Sequence, residues 1–243
     1  LVRAQFDEIH RWSTERGEMI QAITGIPWYY RQFGYEMALP LGGNRTGFTP
    51  HVPRLPEGEE EPYTIRPATL DDIPTISVLY ETGSRRHRVS AVRDEATWRH
   101  EIMGRTEKHL LRNIICVIES KDGRVAGLLA HKAELWGPGL MSSFYELKTG
   151  ISWAQVTPSV VRYMAKKGEE YAQRDGGKWE AFSFGLGSEH PAYEAISERL
   201  PRARKPYAWY VRVPDIVAFL RHVAPALEAQ LAVSPAAGHT GAV

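Results

Sequence analysis

Glu189 and His190, in Gly187-Ser188-Glu189-His190-Pro191, are adjacent titratable side chains of types that suit removal of a proton from an amine. The same stretch reads more simply as the loop before a helix, with Ser188 as its cap. His100, His109 and His131 have no His-x-x-x-His or related spacing, so no metal site is expected. Cys116 is the single cysteine and lies in the apolar run Asn113–Ile118. That excludes a disulfide framework and a cysteine-based metal site, and it suits a reducing cytoplasm. A small buried hydrophobe is its expected role. Arg85-Arg86-His87-Arg88 could steer an anion, but a solvated loop is the plainer reading. Two phenols, Tyr29 and Tyr30, stand in Ile23-Thr24-Gly25-Ile26-Pro27-Trp28-Tyr29-Tyr30-Arg31-Gln32-Phe33-Gly34-Tyr35-Glu36. Pro27 suits the first position of a short helix, and Gly34 the position just past its end. Both phenols then sit at the exposed mouth of a strand–helix–strand unit. Trp28 and Trp136 could line a substrate groove, although core positions are commoner for such aromatics.

The chain that must position these groups has 243 residues, of which 43% are hydrophobic, enough for one large or two small cores. A net charge of +1 gives no field directed at nucleic acid or an anionic membrane. The apolar runs are too short to span a bilayer. No signal peptide pattern opens the sequence, and Leu1 falls directly inside a helical pattern, which reads as a piece of a longer protein in the cytoplasm.

Val2, Phe6, Ile9 and Trp12 recur at helical spacing up to Gly17. A short strand over Glu18–Thr24, the aromatic turn and a strand over Glu36–Leu41 follow. Residues 42–62 hold Gly42-Gly43, Pro50, Pro53, Pro56 and the acidic run Glu57-Gly58-Glu59-Glu60-Glu61, and read as a linker. Tyr63–Pro74 starts afresh as a strand running into a helix capped by Thr69 or Asp71. Trp98–Ile102 lies in a second helix. Asn113–Glu119 and Arg124–Leu135 form a hairpin about Lys121-Asp122-Gly123. Met141–Gly150 is a strand, Thr157-Pro158 opens a helix, Trp179–Phe184 is a strand and His190–Leu200 a helix. The alternating Tyr207–Val213 closes this second sheet, and Asp215–Ala232 is a last apolar helix.

Tyr30-Arg31-Gln32-Phe33-Gly34-Tyr35 resembles the tyrosine, three residues, glycine, aromatic pattern of the GNAT N-acetyltransferase superfamily. "IRPATLDDIPTI" over residues 65–76 is similar to that fold's first strand and helix. The resemblance implies an α/β fold with mixed sheets flanked by helices, in two copies. Residues 1–41 would be the second half of a first copy, and 63–213 a complete second copy. Residues 214–243 would lead to a further module. The layout is similar to the tandem GNAT proteins of the enhanced-intracellular-survival kind.

By that resemblance the reaction is acetyl transfer from acetyl-CoA to a primary amine. Tyr30 would be the general acid on the departing thiolate, Arg3 a leftover phosphate contact, and Trp28 and Tyr29 substrate neighbours. Arg3 also reads as a solvated face residue. The family's glycine-rich pyrophosphate loop would fall at or before Leu1. In the second copy it would fall at Gly150–Ser159, where no Gly-x-Gly occurs, Trp153 and Val156 are bulky and Pro158 removes an N–H. Only the helix start at Thr157–Ser159 could still hold an anion, poorly. The tyrosine position there holds Ser197, with Pro201 in place of the glycine and Tyr193 one turn earlier. The second copy is therefore expected to be degenerate. The implied partners are a small-molecule or peptide amine and, on a scaffold reading, a homo-oligomer, with neither nucleic acid nor membrane.

Overall fold

The computed structural model describes residues 1–87 and 89–239. In chain order these form α1 (Val2–Glu15), β1 (Gln21–Ile23), a 3-10 turn (Tyr29–Phe33), β2 (Glu36–Leu41), β3 (Asn44–Phe48) and β4 (Tyr63–Pro67). A 3-10 turn, Leu70–Asp72, enters α2 (Ile73–Ser84), and α3 (Glu95–Arg99) runs on as a π turn. Then come β5 (Asn113–Ser120), β6 (Val125–Lys132), β7 (Gly139–Leu147), α4 (Trp153–Asp175), β8 (Ala181–Phe184) and α5 (Pro191–Ala195). Last are β9 (Arg202–Arg204), β10 (Tyr207–Arg212) and α6 (Ile216–Ala232). The chain divides into two compact units: Leu1–Leu41 together with residues 207–239, and Gly42–Pro206.

The second unit is built on a sheet of order β4-β5-β6-β7-β8-β3-β9, antiparallel except for the parallel pair β7–β8. Its central strands are apolar on both faces because helices cover both. Cys116 and Ile118 of β5 meet Val156, Val160, Val161 and Met164 of α4 on one face. Ile115 and Val117, one residue out of phase, meet Ile76, Leu79 and Trp98 on the other. The entry to α2 is fixed by charge. The Asp72 carboxylate accepts from Thr69 N (2.8 Å) and Thr69 Oγ1 (3.0 Å). It also takes two bonds from Arg66, which reaches Glu119 as well. These contacts, Arg66 foremost, hold its pKa down at about 2.

The first unit is a three-stranded antiparallel sheet of order β1-β10-β2, with α1 on one face. Its buried hydrophobic centre is Phe6, Tyr35 and Tyr210, with Tyr30 and Phe33 packed alongside. Phe6 and Phe33 stack at 4.1 Å between ring centroids.

Two stretches differ from the sequence reading. Asn44–Phe48 is a strand inside the expected linker, held between β8 and β9 of the second unit. Its composition hides it: at Gly47 any Cβ would overlap Phe182 and the carbonyl of Arg199, so a strand-forming side chain is sterically forbidden there. Tyr207–Arg212 is a strand as expected, but it is the middle strand of the first unit's sheet and does not close the second. Alternation reveals a strand without revealing its partner.

Candidate functional site

The aromatic turn is a single 3-10 turn, Tyr29–Phe33, and Pro27 precedes it by two residues. Gly34 closes the turn at φ +83°, the left-handed geometry its position required. Trp28 enters at φ +65°, the one non-glycine residue with positive φ among the described residues. That conformation is costly for a residue with a Cβ, and Tyr210 holds it. The Trp28 N–H donates to Tyr210 Oη at 2.5 Å, and the same oxygen lies 3.0 Å from Tyr207 Oη. Tyr210 is fully buried.

Tyr30 lies half-buried against this support, its ring 5.3 Å from those of Tyr210 and Tyr29. Its hydroxyl sits over the backbone of Gly25: a Cβ built there would come within 2.8 Å of Oη. Unlike the hydroxyl of Tyr210, it has no hydrogen-bond partner among the described residues. Trp28 is 58% exposed with the Arg31 guanidinium 4.2 Å over its ring. That is not the core position commoner for tryptophan. Trp136, at 71% exposed, is not a core residue either. Arg3 is exposed on α1, 5.5 Å from the Phe33 ring. Tyr29, Tyr30 and Trp28 are thus brought together on one turn, with Arg3 on the neighbouring helix.

In the second unit the parallel strands β7 and β8 pair only from Gly139–Ser142 to Ala181–Phe184. Beyond their carboxyl ends a parallel sheet commonly binds its ligand. Here three side chains of the unit occupy that place. Tyr145 and Trp153 meet at 4.9 Å, Trp153 and His190 at 5.0 Å. His190 Nε2 donates to the Tyr145 carbonyl at 3.0 Å, and its Nδ1 accepts the Ala192 N–H at 3.3 Å. Burial, then the charge of Arg86, lowers its pKa to about 4. With both ring nitrogens engaged, His190 caps α5 itself, the role expected of Ser188. Glu189 is exposed beside it and makes no base pair with it.

Tyr193 donates to the Phe184 carbonyl at 2.8 Å and accepts the Leu186 N–H, a structural role. The helix α4 begins at Trp153, four residues before the expected Thr157, with Pro158 inside it. Thr157 is buried and donates to the Trp153 carbonyl at 2.7 Å, and Ser159 is buried as well. No helix start at Thr157–Ser159 therefore remains to hold an anion. Arg86, paired twice with the fully buried Glu146, is spoken for within the unit; Arg88 of that cluster lies outside the described residues.

Cys116 is fully buried, its thiol pushed up to about 11 by burial. His131 Nδ1 donates to the Lys132 carbonyl (2.8 Å), so Nε2 accepts from Tyr163 Oη (3.1 Å), which lies 3.3 Å from Cys116 Sγ. Burial keeps this His131 neutral, with a pKa near 4. Among the described residues no group of three metal-ligating side chains occurs, and no helix is long and apolar enough to cross a membrane.

The sequence reading missed the part of Tyr210, which approaches Tyr30 from a strand far along the chain and is itself joined by the Tyr207 hydroxyl. It also missed Arg86–Glu146, whose signal was a lone acid inside the apolar run Phe144–Leu147.

No family model matches the chain, and no curated protein does. Solved structures do. A probable N-acyltransferase of unknown function from Enterococcus faecalis V583 is 16% identical over 90% of this chain and 51% of its own, with a TM-score of 0.56. A GCN5-related N-acetyltransferase from Kribbella flavida is 16% identical over 88% and 47%, with a TM-score of 0.52. The chain has the GNAT fold. The second unit's seven-stranded sheet is the mixed, helix-flanked α/β sheet of that fold, and the chain spans about half the length of the structures it matches.

Proposed function

We propose that this chain is the part of an acyl-CoA-dependent N-acyltransferase that carries the general acid, with acetyl-CoA as the co-substrate. The observation that carries the reading is the Tyr30 hydroxyl: unpaired, half-buried and held over Gly25 on a turn that ends in the left-handed Gly34. A neutral primary amine attacks the thioester carbonyl. The N–C bond forms, the C–S bond breaks, Tyr30 protonates the leaving thiolate, and water removes the amine proton. Trp28 and Tyr29 flank the acceptor amine, a small molecule or a peptide, and Arg3 gives a cation for the co-substrate phosphates.

The filled crevice beyond β7 and β8 supports a second role for the second unit, as a GNAT-like scaffold without its own co-substrate, shaping the acceptor cleft or building an oligomer in the cytoplasm. Tyr30→Phe tests the main reading in an acetyl-CoA assay over a panel of amines with the whole protein. Turnover is expected to fall about 100-fold with KM little changed. Unchanged turnover removes Tyr30 from the mechanism.

A further inference from the structure

Gln21 opens β1 at the opposite end of the α1-covered face from Tyr30. Its side-chain oxygen accepts from Tyr35 Oη at 3.2 Å and from Arg212 Nη1 at 3.1 Å. Both acceptor directions are thereby used, and turning the amide over would aim its NH2 at the Arg212 N–H, which can only donate. The Nε2 group is therefore fixed in orientation. It has no acceptor, in a residue only 8% exposed.

Arg212, the cross-strand neighbour of Gln21, has no carboxylate at ion-pair distance among the described residues. Its guanidinium extends towards Gly34, where a Cβ would lie 3.5 Å from Nε. His10 Nε2 is 3.2 Å from Tyr35 Oη; because Tyr35 gives its proton to Gln21, His10 is the donor of that pair. A guanidinium, an amide NH2 and an imidazole thus meet with donors left over; Asp7 acts on the imidazole, but among the described residues no carboxylate pairs with the guanidinium.

We propose that this end of the first unit binds a small oxyanion, a carboxylate or a phosphate group, through the Arg212 guanidinium and Gln21 Nε2. A planar fork beside an amide NH2 matches two oxygens of such a group, and a buried donor without an acceptor is the kind of group a ligand completes. The site uses neither Tyr30 nor Arg3, so it stands independently of acyl transfer.

His10 is the reporter. Burial and the charge of Arg212 depress its pKa, and Asp7 opposes them. An anion seated on Arg212 favours the imidazolium and raises that pKa. Histidine-labelled protein is titrated by NMR at fixed ionic strength, once with inorganic phosphate and once with acetate, with the exposed His222 as reference. The expected result is a saturable upward shift of His10 by about half a unit or more, absent from His222 and lost in Arg212→Gln.

Saturation with phosphate alone assigns the site to phosphate groups, with acetate alone to carboxylates, and with both to oxyanions in general. A drift shared with His222, or a shift that survives in Arg212→Gln, overturns the proposal. Should Arg212→Gln fail to fold, Gln21→Met removes the amide donor and keeps the charge. Phosphate or acetate affinity is then expected to fall about tenfold, and unchanged affinity overturns the proposal equally.

Discussion

The two units are each built on one sheet, three strands in the first and seven in the second, and bury them very differently. The second places apolar clusters on both faces of its sheet, eighteen buried residues on the α4 side and eight on the α2 side. The first buries three, Phe6, Tyr35 and Tyr210, and leaves Trp12, Ile20, Trp209, Leu220, Leu227 and Leu231 each more than a third exposed. A core that small contributes little stability. The first unit therefore depends on a few aromatic contacts and one strand, whereas in the second unit the load is spread over many residues.

Deleting residues from Tyr207 onward breaks the comparison most sharply. The deletion removes the strand between β1 and β2, so hydrogen exchange at Gln21–Ile23 and Glu36–Leu41 is expected to reach unprotected rates, while β5 and β6 keep full protection. Protected β1 amides in the truncated chain would refute the dependence.

Acid probes the second unit from inside. The pKa values of His131 and His190 are near 4 in the folded chain, against 6.5 for an ordinary imidazole. The unfolded chain takes up protons that these residues refuse. Their stabilisation is therefore complete above pH 6.5 and is lost as the pH falls towards 4. The loss is on the order of 3 kcal/mol for each residue. Urea melts of the second unit between pH 7 and 4 measure it, and a flat profile would contradict the burial of both rings.

Asp72→Asn has a smaller effect of related kind. A carboxylate whose folded pKa is lowered from 3.8 to about 2 stabilises above pH 4, and that contribution fades as the pH drops through 2. With Arg66 39% exposed on its side of the pair, the cost at pH 7 is about 1–2 kcal/mol. It should vanish near pH 2.

The smallest change is Tyr210→Phe, which keeps the ring and leaves the Trp28 N–H without its acceptor, costing about 1 kcal/mol. In a Trp28→Gly background, where positive φ is cheap, the same change should cost less. Equal costs in a double-mutant cycle would show that Tyr210 does not hold that turn.

The sequence made legible what repeats locally. Phe6 in α1, the hairpin turning at Asp122-Gly123 and the inner face of α4 follow from spacing, and Gly34 announced its left-handed conformation through its place after an aromatic turn. Tyr30 entered through the likeness of residues 30–35 to a family pattern, and its role stays a proposal. Strand β3 stayed hidden because Gly47 and its polar neighbours have no apolar alternation, and Pro158 disguised the start of α4 because a proline six residues into a helix is rare. Trp28 could not be foreseen in a conformation that glycine prefers. Its support, Tyr210, is far along the chain, and no local pattern joins the two.

The placement of β10 also sets an order of events on the ribosome. The segments that become α1, β1 and β2 are made first, yet the strand that joins them emerges only after Gly42–Pro206. At about 5–20 residues per second, that interval is on the order of 10–30 s. For that time the nascent chain displays two unpaired strand edges and the rings of Phe6, Phe33 and Tyr35, the surface that chaperones recognise. The second unit, whose own strands are all translated by Pro206, can complete its sheet while the first is still waiting.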